Sequence, residues 1–131
     1  AMVRQVRFAG GGKTEFCAVA RQMGTVIRFP AGASVFSEGE AADNMYVVLA
    51  GELDLRARDK LIEKLRPGDS LGIVGLMDEQ ARTVSALATS DVELAVLDRR
   101  RFRYMVESVP NFVWYVMSEL VGRLRATNAA L

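Results

Sequence analysis

The amino-acid sequence predicts a single, mainly β domain with flanking helices, a sandwich or jelly roll of about eight strands. The chain has 131 residues, of which 50% are hydrophobic and 25% are charged, a composition typical of one globular domain. Between residues 24 and 97, short β-branched and aromatic segments alternate with turns that contain Gly or Pro. Strands that recur about every 8–12 residues are typical of antiparallel sandwiches and jelly rolls.

Seven strands can be bounded within this central block. Pro30-Ala31-Gly32 and Pro67-Gly68-Asp69 are predicted turns, because Pro fixes its own backbone and Gly tolerates left-handed conformations. Leu53 to Arg56 alternates apolar and polar residues, as a half-exposed strand does. The predicted strands are residues 25–29, 34–36, 45–49, 53–56, 61–65, 84–87 and 92–97.

Helices are predicted on both sides of the strands. Residues 13–23 carry apolar side chains at helical spacing, and Asp98 is a suitable N-cap for a helix over residues 99–107. Pro110 suits the first position of a longer helix that continues to about Thr127. A wide apolar stripe on that last helix must cover either the chain's own barrel or a second copy of the helix; it consists of Val113, Val116, Met117, Leu120, Val121 and Leu124.

Composition argues against several classes of function. The chain contains no His and one Cys, Cys17, so His-based catalysis, His-ligated metals, thiolate zinc clusters and an internal disulfide are excluded. We therefore expect neither an enzyme nor a metal site, and we expect a reducing, cytoplasmic environment. No apolar run reaches the roughly 18 residues that a membrane span requires. Residues 1–12 are expected to be a flexible lead-in to a domain over residues 13–131.

The charge balance gives no indication of a nucleic-acid partner. The formal net charge is only +1 at pH 7. Four arginines fall close together at residues 99–101 and 103, and we interpret them as one solvated helix face.

The stretch from Gly72 to Arg82 predicts an anion-binding segment. Small residues lead into one helical turn, where the first backbone N–H groups have no intrahelical acceptor. Gly72 and Gly75 let the backbone approach a ligand closely. Arg82, followed by the hydroxyl residue Thr83, would supply the charge-assisted half of a phosphate clamp.

Ordered motifs along the chain extend this interpretation to a family. The chain is similar, over roughly residues 24–128, to the cyclic nucleotide-binding domain of the catabolite activator (cAMP receptor) protein family. The resemblance implies an eight-stranded jelly-roll (double-stranded β-helix) barrel with a short phosphate-cassette helix and two C-terminal helices. The motifs that carry it are Pro30-Ala31-Gly32, Glu38-Gly39-Glu40, Asp43-Asn44-Met45-Tyr46-Val47-Val48, Gly51-Glu52-Leu53, Leu65-Arg66-Pro67-Gly68-Asp69, Leu71-Gly72, Arg82-Thr83-Val84-Ser85 and Asp91-Val92-Glu93-Leu94.

The resemblance implies specific roles within the phosphate cassette, the stretch from Leu71 to Thr83. Arg82 falls at the position of the phosphate-binding Arg, with Thr83 as its hydroxyl neighbour. A hydroxyl near the end of the last helix contacts the purine edge in the family, and Thr127 is the candidate here. The expected ligand-binding residues are Leu71, Gly72, Ile73, Val74, Gly75, Arg82, Thr83 and Thr127.

Two positions depart from the family pattern. Ala81 replaces the usual Pro before the Arg, and Ile73 replaces a Glu that ordinarily accepts a hydrogen bond from the ribose hydroxyl. A buried hydroxyl without an acceptor costs about 1–3 kcal/mol, so the ligand is expected to bind more weakly or to differ. Asp78 and Glu79 are close enough in sequence to substitute for the missing carboxylate.

These observations support a regulatory module that binds cAMP or a related cyclic nucleotide and needs no cofactor. Ligand occupancy would be relayed through the C-terminal helices, and the apolar stripe suggests a homodimer through residues 110–127. The alternative is a degenerate module of the same fold that acts as a dimerisation or protein-interaction domain. Neither a DNA-binding module nor a membrane segment is predicted within these residues.

Overall fold

The computed structural model describes residues 13–130; the predicted lead-in over residues 1–12 lies outside this range. The chain forms four helices and eight strands in this region. In chain order they are α1 (Lys13–Met23), β1 (Thr25–Phe29), β2 (Ser34–Phe36), β3 (Asn44–Ala50), β4 (Leu53–Ala57), β5 (Lys60–Leu65), β6 (Ser70–Leu71), α2 (Ile73–Asp78), β7 (Ser85–Ala88), β8 (Val92–Asp98), α3 (Arg99–Ser108) and α4 (Phe112–Ala130).

The strands form two antiparallel sheets of four strands each, with orders β1-β8-β3-β6 and β2-β7-β4-β5. The predicted mainly β jelly roll is confirmed, although the two sheets do not close into one hydrogen-bonded barrel. All seven strands bounded from the sequence are present, with small differences at their ends. The eighth strand, β6, has only two residues, which is too short to produce an alternating pattern.

Two apolar cores hold the elements together. One core lies between the two sheets and includes Phe36, Leu55 and Leu94. The other joins the helices to the first sheet, and in it the Phe16 ring of α1 meets the Phe112 ring of α4 edge to face at 6.1 Å. Because each fully buried side chain of this size contributes roughly 1.5–3 kcal/mol, both helices are fixed to the sheet by packing.

The beginnings of the last two helices differ in how well the sequence predicts them. The Asp98 side chain accepts a hydrogen bond from the Arg101 backbone N–H at 2.8 Å, which confirms the predicted N-cap of α3. The predicted first position of α4 at Pro110 is wrong. Asn111 adopts a left-handed backbone conformation (φ +65°), so the helix begins only at Phe112.

Helix α4 lies across β5 and β6, one edge strand of each sheet. It is held there by three side chains that are spaced four residues apart. The Tyr115 hydroxyl donates to Gly68 O at 2.8 Å. The Glu119 carboxylate accepts from Ser70 N at 2.6 Å and from Ser70 Oγ at 2.8 Å. Arg123 donates to Ser70 O at 2.7 Å and to the Glu63 carboxylate at 2.8 Å. These bonds satisfy the backbone N–H and carbonyl of Ser70 in β6 and the carbonyl of Gly68 in the turn before it.

The apolar stripe of α4 divides between two faces. Val116 is buried against the chain's own fold, and Leu120 is half-buried. Val113, Met117, Val121 and Leu124 remain exposed. The described residues contain no helix that is both long enough and apolar enough to span a membrane.

Candidate functional site

A cavity of about 320 Å³ lies between α2, α4 and the strands that they cover. Its volume falls in the range typical of small-molecule sites. The cavity brings together seven of the eight residues expected to bind a ligand: Gly72, Ile73, Val74, Gly75, Arg82, Thr83 and Thr127.

Leu71 is the expected residue that does not line the cavity. Its side chain is fully buried in the core between the sheets. The alternation of a strand explains this placement, because Ser70 of the same strand faces the cavity and its neighbour must face the other way.

Arg82 is fixed by its backbone and by its side chain. Its backbone N–H donates to Glu40 O at 2.8 Å, and its carbonyl accepts from Gly39 N at 2.9 Å. The guanidinium donates from Nη1 to Gly72 O at 3.1 Å and from Nη2 to Asn44 O at 2.7 Å. The same group stacks over the Phe36 ring, 4.3 Å from its centroid. Arg82 is therefore held by neutral partners.

The charge of Arg82 lacks a close counter-ion in the described part of the chain. Arg82 is only 6% exposed, and no carboxylate in that part of the chain lies within ion-pair distance of its guanidinium. Burial lowers the pKa of Arg82, and Tyr46, followed by the charges of Asp43 and Glu40, offsets this only in part. Its Nε is also buried without a hydrogen-bond partner. An anion bound in the cavity beside Arg82 would therefore supply the counter-charge that the described residues lack.

Both cassette glycines are required by close neighbours. Gly72 has a positive φ of +86°, and a Cβ built on it would lie 2.6 Å from Nη1 of Arg82. A Cβ on Gly75 would lie 2.4 Å from the Cβ of Ala42. Gly72 therefore allows Arg82 to approach the cassette backbone, and Gly75 allows α2 to lie close to the loop between β2 and β3.

The structure places no carboxylate of the cassette in the cavity. Ile73 is 4% exposed and packs into the core beneath α2. Asp78 and Glu79, considered above as substitutes for the missing Glu, are exposed and do not line the cavity. Asp78 instead accepts a hydrogen bond from the Gln80 backbone at 3.0 Å. The positions of Asp78 and Glu79 therefore do not support the expectation that one of them replaces the missing Glu.

Thr127 reaches the cavity from the C-terminal part of α4. Its hydroxyl donates to Arg123 O at 2.8 Å, one helical turn earlier. The hydroxyl oxygen keeps lone pairs that can accept a hydrogen bond from a ligand.

Several cavity residues have no sequence motif to indicate them. Glu119 and Arg123 of α4 line the cavity together with Ser70, Ala57 and Ile62. The sequence does indicate that Glu119 is unusual, because it is the one carboxylate on the face of α4 that Phe112, Tyr115 and Val116 bury. A buried carboxylate in such a place requires partners, and Ser70 provides them.

The charges that line the cavity leave an excess of one positive charge. Glu119 lies 3.3 Å from Lys13, which it shares with Asp69 outside the lining, and Arg123 is paired with Glu63 at 2.8 Å. Arg82 is the remaining charged residue of the lining. A ligand with one negative charge would complement this arrangement, with its uncharged part against the apolar walls.

The fold and the site together define a jelly-roll domain whose cavity has the charge and size to suit a small anionic molecule. Residues 26–109 match the family model described as "Cyclic nucleotide-binding domain". Because this match covers more than half of the sequence, the chain belongs to the cyclic nucleotide-binding domain family, as the resemblance implied.

Relatives with described functions carry the domain within longer chains. The chain is 31% identical over 126 residues to a "CRP-like cAMP-activated global transcriptional regulator" of Mycobacterium tuberculosis, covering 92% of this chain and 56% of the relative. It is 37% identical over 81 residues to the "cGMP-dependent protein kinase egl-4" of Caenorhabditis elegans, covering 62% of this chain and 10% of the kinase. The chain thus spans about half or less of these relatives.

A solved structure agrees with the fold. The crystal structure of the Thermus thermophilus catabolite activator protein matches with a TM-score of 0.74 and 26% identity. The match covers 86% of this chain and 55% of that protein.

Proposed function

We propose that this chain is a regulatory module that binds a cyclic nucleotide next to Arg82, with cAMP as the first candidate. The observation that carries the proposal is the buried guanidinium, which has neither a carboxylate partner nor an acceptor for its Nε in the described part of the chain. A cyclic phosphodiester has one negative charge and exposed oxygens, so it matches both needs. The purine would lie between the apolar walls and α4, within reach of Thr127.

The choice of cAMP rests on the relatives and on the charge of the site. The Mycobacterium regulator is described as cAMP-activated, whereas the Caenorhabditis kinase is described as cGMP-dependent. A phosphate monoester such as 5′-AMP carries about −1.5 to −2 charges at neutral pH. Because the cavity offers one unpaired positive charge, we expect the cyclic monoanion to be preferred over the monoester.

A degenerate module without nucleotide binding is less well supported. That alternative rests on Ile73, which removes one hydrogen-bond acceptor. It leaves unexplained why a chain would keep Arg82 buried without a counter-ion, since such a group is costly to maintain.

The relay would run through α4, which contributes to the cavity and presents an exposed apolar face. Glu119, Arg123 and Thr127 line the cavity from this helix. Val113, Met117 and Val121 are exposed, at 41%, 48% and 53% of their surfaces. A second copy of α4 is the occupant that we propose for this face, so a ligand that shifts α4 would alter the dimer.

Isothermal titration calorimetry with cAMP, cGMP, 5′-AMP and a cyclic dinucleotide tests the proposal. We expect submillimolar binding of cAMP, weaker binding of 5′-AMP, and loss of binding in Arg82→Ala. The matched control is Arg100→Ala, which removes an exposed arginine of α3 and should leave the affinity unchanged. Absence of heat with every cyclic nucleotide at high protein concentration would refute the proposal. Equal affinities in the Arg82→Ala variant and the wild type would refute the role of Arg82.

A further inference from the structure

Arg99 differs from the other arginines of α3 in its environment. Arg100, Arg101 and Arg103 are exposed, as expected for a solvated helix face. The expectation is wrong for Arg99, which is half-buried and donates from both Nε and Nη2 to Leu76 O, each at 3.3 Å. The side chain therefore reaches from the first residue of α3 to the cassette helix α2.

Leu76 O is a carbonyl that α2 cannot satisfy by itself. The helix has six residues, and the carbonyls of its last turn have no helical donor. Glu79 ends the helix in a left-handed conformation, and its backbone N–H donates to Gly75 O at 3.0 Å. Arg99 donates to the next carbonyl, that of Leu76, and its positive charge interacts favourably with the negative C-terminal end of the helix dipole.

The position of α2 determines the shape of the candidate site. Gly75 packs against Ala42 with no room for a side chain, and the residue before the helix, Gly72, accepts from Arg82. A small displacement of α2 would therefore disturb the Gly72–Arg82 contact. We propose that Arg99 is a positioning residue that holds α2 in the conformation that presents the cassette to the ligand, and so ties the cassette to α3. The part that concerns the ligand rests on the proposed function.

Arg99→Gln tests this inference against Arg100→Gln, an exposed neighbour on the same helix. The first readout is hydrogen–deuterium exchange without ligand, followed at the backbone amides of residues 76–80. Loss of two bonds from a charged donor should lower protection of these amides by about tenfold in Arg99→Gln. Protection of β3 and β8 should stay at the wild-type level, because the fold itself is unaffected.

The second readout is cAMP affinity by calorimetry. We expect about a five- to tenfold loss in Arg99→Gln and no change in Arg100→Gln. Arg99→Lys should restore part of the affinity and of the protection, since an ammonium can still donate to one carbonyl. If Arg99 acted only through the stability of the whole fold, Arg99→Lys would not restore protection at residues 76–80 in particular.

The two proposals fail in distinguishable ways. Wild-type protein that binds no cyclic nucleotide would refute the proposed function, and the exchange experiment would still decide the role of Arg99. Exchange at residues 76–80 that is equal in Arg99→Gln and Arg100→Gln would overturn the positioning role. Altered exchange with unchanged cAMP affinity would overturn the link between Arg99 and the ligand.

Discussion

Gly72→Ala adds only one methyl group, but it should strongly disturb the candidate site. The new Cβ would lie 2.6 Å from Arg82 Nη1, whereas carbon and nitrogen in contact need more than 3 Å. Gly32→Ala is a matched control, because Gly32 has nearly the same backbone angle (φ +88°, against +86° at Gly72) and no atom within 4 Å of its built Cβ. The two variants therefore share the backbone strain and differ in the close contacts of the new Cβ, with Arg82 and with the backbone oxygen of Asn44 at 3.0 Å.

The expected magnitudes follow from these contacts. A left-handed conformation costs an alanine about 1–2 kcal/mol, so Gly32→Ala should lower the free energy of unfolding by that amount. Gly72→Ala should lose a further 1.5–3 kcal/mol, approximately, because Arg82 must give up its charged hydrogen bond to Gly72 O. Urea denaturation measures both values, and calorimetry with cAMP should show at least a tenfold loss of affinity for Gly72→Ala alone. Equal stability and equal affinity in the two variants would refute the reasoning.

Three further predictions concern the sugar side of the site, the anchor of α4 and its exposed face. Ile73→Glu should tighten cAMP binding by about tenfold in calorimetry, by supplying an acceptor for the ribose hydroxyl; weaker binding would show that this position belongs to a different pocket. Tyr115→Phe should lower the free energy of unfolding by about 1 kcal/mol at pH 7, because the bond to Gly68 O is lost. Burial raises the pKa of Tyr115 well above 10, so the contribution of this hydroxyl to the free energy of unfolding should be complete below pH 10 and be lost as the pH rises above it. Urea denaturation at a series of pH values should show a smaller decline in the Phe variant. Val121→Glu should shift the protein from dimer to monomer in sedimentation equilibrium while Arg103→Glu does not; a monomeric wild type would contradict the proposed dimer.

The sequence predicts those parts of the molecule in which local chemistry and tertiary structure agree. Pro and Gly turns separate the strands, so seven strands are placed within a few residues of their observed ends. Gly72 and Arg82 are only 10 residues apart, and a positive φ, which Gly adopts most easily, accompanies their contact. The part of the candidate site around Gly72 and Arg82 can therefore be located from the sequence.

The remaining parts depend on contacts between distant segments. Glu119 and Ser70 are 49 residues apart, and nothing near either residue indicates that they meet. Arg99 looks like its exposed neighbours in the sequence, and only the placement of α2 gives it a partner. The start of α4 was missed for a different reason, since Asn111 adopts a left-handed conformation that Pro110 alone does not predict.

The position of α4 across two edge strands has a consequence for aggregation. An uncovered edge strand offers unpaired N–H and C=O groups to other chains, and natural proteins protect such edges. Here Tyr115, Glu119 and Arg123 occupy the backbone groups at Gly68 and Ser70. Complete release of α4 would expose this edge and the apolar core behind it. We therefore expect any signalling movement of α4 to be a short slide or pivot that keeps the edge covered, and we expect a chain cut before Phe112 to aggregate.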